Sequence, residues 1–138
     1  MADSYALALQ KGVRAALVAD AGVAALVSAR IYDEPPSDAV LPYLRFGEIS
    51  PSAFDTDSTE GAEVQIGLIA HSRPVAGRVE AVQMVEAVKS ALHRQETAVT
   101  VTGFNLVQLI FQTYAATRDP EGRGYTATIS LRATVETA

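Results

Sequence analysis

Two histidines are the residues of this sequence best suited to bind a metal or to transfer a proton at neutral pH. His71 and His93 are its only histidines, cysteine is absent, and neither His-x-x-x-His nor Glu-x-x-His spacing occurs. Isolated imidazoles without thiolates lack the ligand set of a zinc site. His71 is predicted to end a strand and His93 to end a helix, where the helix dipole favours an imidazolium. We therefore predict no metal site and no catalytic role for either residue.

A second candidate for chemistry is the acidic segment FDTDSTEG, in which Asp55, Asp57 and Glu60 could hold a divalent cation. A calcium loop of the EF-hand type needs glycine at its sixth position and glutamate at its twelfth. Counted from Asp55, those positions hold Glu60 and Ile66, so the segment does not match. The pattern favours a solvated acidic loop. A weak Mg²⁺ or Ca²⁺ contact is the alternative, and divalent ions would then shift the melting temperature.

Asp33 and Glu34 are adjacent carboxylates, the residue type that performs much acid–base catalysis. Neighbouring residues of a strand point to opposite faces, so these two side chains do not converge. The sequence has no Gly-x-Ser-x-Gly elbow, Walker loop or dinucleotide fingerprint, and its GRG segment at Gly122–Gly124 is too short to cradle phosphate. We predict a protein that is not an enzyme and that binds no cofactor.

Phe54 is the one aromatic residue of a polar segment, Ser50–Gly61, that is predicted to be a loop. A large apolar side chain in such a place either docks on a partner or folds back onto the protein's own core, and the sequence leaves both open. Exchanging Phe54 for serine separates the two, because the first predicts failed assembly and the second predicts a less stable monomer.

Charge and composition restrict the class of protein further. The chain has 11 Lys and Arg against 16 Asp and Glu, a net charge of −5, which argues against nucleic-acid binding because that needs clustered cations. With 138 residues, 49% of them hydrophobic and 20% charged, a single globular domain over residues 1–138 is expected. The sequence shows neither a secretory signal nor an apolar run long enough for a membrane span, so no membrane association is predicted.

Helices that position these residues are predicted from capping residues and apolar spacing. The first begins near Tyr5 with Ser4 or Asp3 as its cap, and Asp20 caps a second, short helix. A long helix is predicted to start at Pro74 after a Ser72 cap. Its apolar residues step by three or four and form the expected buried stripe: Val75, Val79, Val82, Val85, Val88 and Leu92.

Strands are predicted from alternating apolar and polar residues. They lie at Ile31–Asp33, Tyr43–Ile49, 62–71, and in a closing hairpin of Leu106–Tyr114 with Tyr125–Val135. Every second residue of the last strand is apolar, whereas the opposite face is rich in threonine. Strand clusters separated by helices predict an α+β fold: a mostly antiparallel sheet of four to five strands, with helices packed on one face.

The connection between the first two strands contains Asp33, Glu34, Pro35 and Pro36, and Pro42 ends it. Proline fixes its own φ and favours an extended residue before it, so the connector should be stiff and ordered. A stiff connector suits a scaffold that presents a surface, and it carries no evident chemistry.

The order and spacing of these segments carry a resemblance to a known family. The most specific part is RIYDEPP…LPYLRFGE, followed at a distance by a G-x-x-E-A helix at Gly77–Ala81 and supported by the R-D-x-x-G…Y hairpin at Arg118–Tyr125. Over nearly the whole chain, the sequence resembles the tail-completion, or tail terminator, proteins of long-tailed bacteriophages and their relatives in gene transfer agents.

The resemblance implies a structural virion protein that is not an enzyme. Such proteins form a ring, usually of six subunits, on the head-proximal end of the tail tube, where the ring ends tube polymerisation and offers a docking surface to the head connector. The implied partners are further copies of the chain, the tail tube protein and the head connector, with DNA passing through the lumen without specific binding. The implied location is the neck end of the virion tail, after assembly in the bacterial cytoplasm.

The residues agree with that role in two respects. An acidic protein repels DNA that passes through a ring, and a wet, threonine-rich sheet face suits a lumen or a subunit contact. A closed ring needs two different patches on each subunit. The candidate contacts for subunits or partners are Asp33, Glu34, Pro35, Pro36, Phe54, Asp55 and Asp57. The alternatives are another neck or head-closure connector protein and a small ligand-binding α+β domain.

Overall fold

The computed structural model of the chain describes residues 4–55, 60–74, 76–118 and 124–137. Its elements follow one another as α1 (Tyr5–Ala19), α2 (Ala21–Val27), β1 (Ile31–Tyr32), β2 (Tyr43–Asp55), β3 (Glu60–His71), α3 (Gly77–Leu92), a 3₁₀ helix (Glu96–Ala98), β4 (Phe104–Arg118) and β5 (Tyr125–Thr137).

The five strands form one sheet in the order β1-β2-β3-β5-β4. The short β1 pairs with β2 in parallel, whereas the β2–β3, β3–β5 and β4–β5 pairs are antiparallel. Because β4 and β5 pair along most of their length, the predicted closing hairpin is confirmed and is longer than expected. The fold is α+β with a mostly antiparallel sheet, as predicted.

The hydrophobic core lies between one face of the sheet and the helices. Alternate residues of β5 are buried, as the sequence pattern predicts: Ala127, Ile129, Leu131, Ala133 and Val135. The same cluster contains buried residues of β3, α1, α2 and α3. The helices therefore pack on one face of the sheet, and the threonine-rich face of β5 points away from them.

Local capping chemistry determines where the first two helices begin. The Ser4 hydroxyl accepts a hydrogen bond from the backbone N–H of Leu7 at 3.3 Å, and the Asp20 carboxylate accepts one from Val23 at 3.0 Å. Each satisfies an amide that has no partner within the first turn. Both predicted caps are confirmed, with Ser4 taking the role that the sequence left open between Ser4 and Asp3.

The predicted loop Ser50–Gly61 is wrong over much of its length. β2 continues through Asp55 and β3 begins at Glu60, with Ser50 opposite Gln65 and Ser52 opposite Glu63. Serine and proline disfavour strands in isolation, but strand propensity depends strongly on the neighbouring strand. Here β3 supplies the pairing partner that the local sequence does not reveal.

The long helix also begins later than predicted. α3 starts at Gly77 after Ala76, which makes no side-chain capping bond, and the Ser72 hydroxyl instead contacts the backbone of Tyr125. Part of the expected stripe is correct, because Val85, Val88 and Leu92 are buried. Val79 is 67% exposed, and the buried residues in the first half of the helix are instead Glu80, Ala81 and Met84. Val75 lies outside the described residues.

Candidate interaction surfaces

The acidic connector after β1 is held by side chains of α1. Gln10 donates a hydrogen bond from Nε2 to Asp33 Oδ1 at 3.0 Å, and Arg14 donates one from Nε to the Ile31 carbonyl at 3.0 Å. Asp33 and Glu34 remain exposed. The carboxylates are thus presented on the surface beside α1, and one of them is oriented by a hydrogen bond.

The far end of the connector is fixed as well. Arg30 donates a hydrogen bond from Nε to the Pro42 carbonyl at 2.9 Å, and Leu44 N–H donates one to the Arg30 carbonyl at 3.0 Å. A turn closes between Pro36 and Ala39, because the Ala39 backbone N–H donates a hydrogen bond to the Pro36 carbonyl at 3.0 Å. Hydrogen bonds at both ends and in the middle limit the conformations available to the connector, and ordering it on a partner then costs less entropy.

The sheet face that points away from the helices, called here the open face, combines threonines with charges of both signs. Along β5 it carries half-buried or exposed polar residues: Thr126, Thr128, Ser130, Arg132, Thr134 and Glu136. Arg132 lies 3.8 Å from Glu63 of β3, and both side chains are well exposed. Exposed pairs of this kind contribute little stability. Along β5 the open face is a polar surface.

An aromatic cluster occupies the end of the open face nearest the connector. Tyr32 packs edge-on against Tyr43 with ring centroids 5.6 Å apart, and Tyr43 stacks on His71 at 4.8 Å. Arg45 donates a hydrogen bond from Nε to His71 Nε2 at 3.0 Å. His71 therefore orders the end of the sheet beside the connector.

His93 joins the end of α3 to β4. It follows the last residue of α3, as expected, and its Nδ1 accepts a hydrogen bond from the backbone N–H of Phe111 at 2.9 Å. This contact is additional to the position at the helix end that the sequence predicts. The sequence could not reveal the partner, because Phe111 belongs to a strand that is distant in the chain.

The two groups of predicted contact residues lie at opposite ends of β2. β1, which precedes the connector, pairs with Leu44 and Arg45 near the start of β2. The backbones of Phe54 and Asp55 pair with Gly61 and Glu60 at its end. A strand rises by about 3.3 Å per residue, so roughly 30 Å separates the two ends. Asp57 lies outside the described residues.

One ion pair connects the segment after β3 to the start of α3. The buried Glu80 accepts a hydrogen bond from the Arg73 backbone N–H at 2.7 Å, and the Arg73 guanidinium lies 2.6 Å from the same carboxylate. Burial by itself raises the pKa of Glu80, but the hydrogen bonds and charge of Arg73 outweigh burial and lower that pKa below its ordinary value. The carboxylate thus stays ionised and holds the chain entry into α3.

Neither a metal centre nor an enclosed catalytic pocket emerges from the parts of the chain that the structure describes. No group of three or more His, Asp or Glu side chains there could hold a metal ion. A surface groove of about 230 Å³ lies between α1 and the segment before β4, lined by Ala8, Lys11, Gly12, Ala15, Thr100 and Thr102. No helix among the described residues is long and apolar enough to cross a bilayer.

Comparison with known proteins adds the family context. A family model described as "Tail completion protein gp17" matches residues 11–136. A chain in the structure "Virion of native gene transfer agent (GTA) particle" is 28% identical, with a TM-score of 0.86, and the match covers 98% of this chain and 99% of that one. A chain in "Structure of bacteriophage SPP1 gp17 protein" has a similar fold, with 22% identity, a TM-score of 0.61, and coverage of 94% and 89%. A search of the curated proteins finds no match.

Proposed function

The chain belongs to the Tail completion protein gp17 family, and on that premise we propose that it caps the head-proximal end of a tail tube as a ring. The family is one of structural tail-completion proteins, which is not a class of enzymes. The observation that carries the proposal is the agreement between the family match and the nearly full-length fold match to a chain of a gene transfer agent virion. The protein is then a component of the virion of a phage or of a gene transfer agent.

The proposed ring ends tube polymerisation because its tube-facing surface accepts the last tube subunits while its other surface offers a different contact. A ring subunit uses two unlike patches, one for each neighbour, and a cap also contacts other tail proteins. The two ends of β2, about 30 Å apart by strand rise, offer separate regions for a contact with a neighbouring copy or with another partner. We assign Asp33, Glu34, Pro35 and Pro36 to one contact region, and Phe54, Asp55 and Asp57 to another.

The open face suits the inner wall of such a ring. Its threonines and its charges of both signs offer no continuous cationic track for phosphates, and the chain as a whole carries a net charge of −5. Affinity for DNA depends on cations that displace counterions, and a negatively charged protein repels the duplex. DNA then passes through the lumen without being held.

The test is tail assembly without this protein, followed by electron microscopy of the products. A missing cap yields tubes of uncontrolled length, whereas a missing head-closure connector yields tails of normal length that lack heads. The second result would replace the proposed role with the alternative neck role. The mass of the protein in solution, with and without the tail tube protein, then measures whether a ring forms freely or only on the tube.

A further inference from the structure

β4 is an edge strand, and among the described residues the segment after α3 covers the middle of its outer side. Leu109 N–H donates a hydrogen bond to Glu96 Oε2 at 2.9 Å, and the Leu109 carbonyl accepts one from Arg94 N–H at 2.8 Å. Phe111 N–H donates to His93 at 2.9 Å. The segment that follows α3 thus occupies the strand edge where a foreign strand would otherwise add. This cover ends at Phe111.

The stretch Gln112–Arg118, called here the distal β4 edge, continues without such a cover. The register shifts between Phe111 and Thr113, and beyond that bulge the backbone groups of Tyr114, Ala116 and Arg118 point away from β5. Within the described residues, no backbone hydrogen bond from another segment reaches them. An uncovered edge of this length is a template for strand addition.

The opposite margin of the sheet offers a second uncovered edge. β1 pairs only with Leu44 and Arg45, so Ile49–Asp55, called here the distal β2 edge, has no partner strand on its outer side among the described residues. Pro51 lies within it, and proline is tolerated in a sheet on an edge strand, where its missing N–H breaks no ladder. The distal β2 and β4 edges span equal numbers of residues.

We propose that the distal β4 edge of one copy pairs antiparallel with the distal β2 edge of the next copy, so that the open faces of neighbouring copies join into one continuous surface. The partner is a second copy of the chain, because each copy carries both edges. The β2–β3, β3–β5 and β5–β4 pairs are all antiparallel, so β2 and β4 of one copy run in opposite directions. Copies related by a rotation that preserves strand direction therefore place β4 against β2 antiparallel. This contact joins two different patches, so the same contact can be repeated from one copy to the next. Only the closure of the repeated contact into a ring rests on the proposed function.

The side chains of the two edges are compatible with that pairing. In the antiparallel arrangement the end of β4 meets the beginning of the distal β2 edge, which places the exposed Arg118 of one copy near the exposed Glu48 of the next. On the open face, the exposed Thr117 comes opposite Ser50, and the small exposed Ala115 comes opposite Ser52. Opposite charges and small side chains favour cross-strand approach, while Pro51 removes one donor from the ladder.

Cysteine cross-linking tests the pairing cleanly because the chain contains no cysteine. Double variants carry Thr117→Cys or Ala115→Cys on β4 together with Ser50→Cys or Ser52→Cys on β2, and the four combinations cover the neighbouring registers. A disulfide forms only when the two Cα atoms approach within about 7 Å. After oxidation in the presence of tail tube protein, we expect at least one combination to give a ladder of covalent oligomers.

Each single-cysteine variant is a control and should give at least tenfold less cross-linked product. Val40→Cys combined with Val79→Cys measures random collision, since both side chains are more than 60% exposed and lie outside the two edges. Covalent dimers from Thr117→Cys alone would mean that β4 pairs with β4 about a two-fold axis, which overturns the proposal. Rings seen by mass and microscopy without any cross-linked ladder also overturn the edge pairing, but leave the capping function intact. A monomer under all conditions contradicts the capping ring itself.

Discussion

Glu80 is a buried carboxylate whose negative charge is compensated by the neighbouring Arg73 guanidinium. Its oxygens accept both the backbone N–H and the guanidinium of Arg73, seven residues earlier in the chain. Since the Arg73 side chain is more than half exposed, solvent screens the Coulomb attraction, and the hydrogen bonds carry most of the stabilisation. The pair ties the segment before α3 to the first turn of the helix, which has no side-chain cap of its own.

The Glu80→Gln variant should be less stable than the wild type by about 2 kcal/mol at pH 7, because hydrogen bonds to a charged acceptor are lost. The folded-state pKa of Glu80 lies below its ordinary value of 4.5, so its contribution is present above that pH and is lost as the pH falls through the folded pKa. The difference between variant and wild type should therefore shrink at pH 3.5 in urea unfolding. Glu34→Gln, in the exposed connector, is the control, and an unchanged difference at both pH values would contradict the assignment.

Gly12 allows α1 to approach the segment before β4. A methyl group at this position would lie 2.2 Å from the carbonyl oxygen of Thr100, closer than any real contact. We expect Gly12→Ala to destabilise the protein by about 3 kcal/mol, because backbone and not a flexible side chain must move. Gly67→Ala is the matched control, since its nearest neighbour, the Glu48 backbone nitrogen, lies 3.5 Å away. Equal stability losses in both variants, measured by thermal melting, would contradict the close-approach explanation.

The local structure of residues that interact with near neighbours in the chain could be predicted from the sequence. Ser4 and Asp20 cap helices because a hydroxyl or carboxylate reaches an amide three residues ahead. Sequence reasoning failed at the start of the long helix, where Val79 was expected in the core and Glu80 is buried instead, because the guanidinium that permits the burial of Glu80 comes from outside the helix. The His93–Phe111 bond was missed for the same reason: the two partners are 18 residues apart.

At the scale of the elements, β3 and β5 could be predicted because apolar and polar residues alternate within each of these strands by itself. The first half of β2 was predicted as well, but its second half was not, because that half is polar and becomes a strand only by pairing with β3. The candidate contact residues divide in the same way. The connector at Asp33–Pro36 lies beside β1 as expected, whereas the backbone of Phe54 belongs to a strand and not to the predicted loop.

The cover over the middle of β4 consists of hydrogen bonds from the segment after α3, and the Glu96 carboxylate makes one of them. We expect Glu96→Ala to cost about 1–2 kcal/mol, because the Leu109 N–H then loses its acceptor on a strand edge. The variant should also accelerate hydrogen exchange at the Leu109 amide. Glu96→Gln retains an amide oxygen at the same place and should restore most of the protection. If alanine and glutamine behave alike, the carboxylate is not the group that covers the edge.

At the scale of the whole molecule, the fold separates the surfaces that the proposed capping role uses. The helices cover one face of the sheet, the open face remains polar, and the connector and the far end of β2 lie at opposite ends of that strand. The sequence predicted the sheet and its covered face from periodicity. It did not predict which surfaces are adjacent, since adjacency depends on the strand order β1-β2-β3-β5-β4.

The proposed docking role of the connector can be separated from stability by reversing one charge. Glu34 is exposed, so Glu34→Arg should leave the free energy of unfolding within about 0.5 kcal/mol of the wild type. If the connector contacts a neighbour or a partner, the reversed charge should lower the yield of finished particles at least tenfold, because a mispaired charge in an interface is costly. Gln83→Arg, on the exposed side of α3, adds a positive charge away from the connector and should leave the yield unchanged. Equal yields from both variants would remove the connector from the contact surface, while the cap would then have to be formed by the open face and the edges of the sheet.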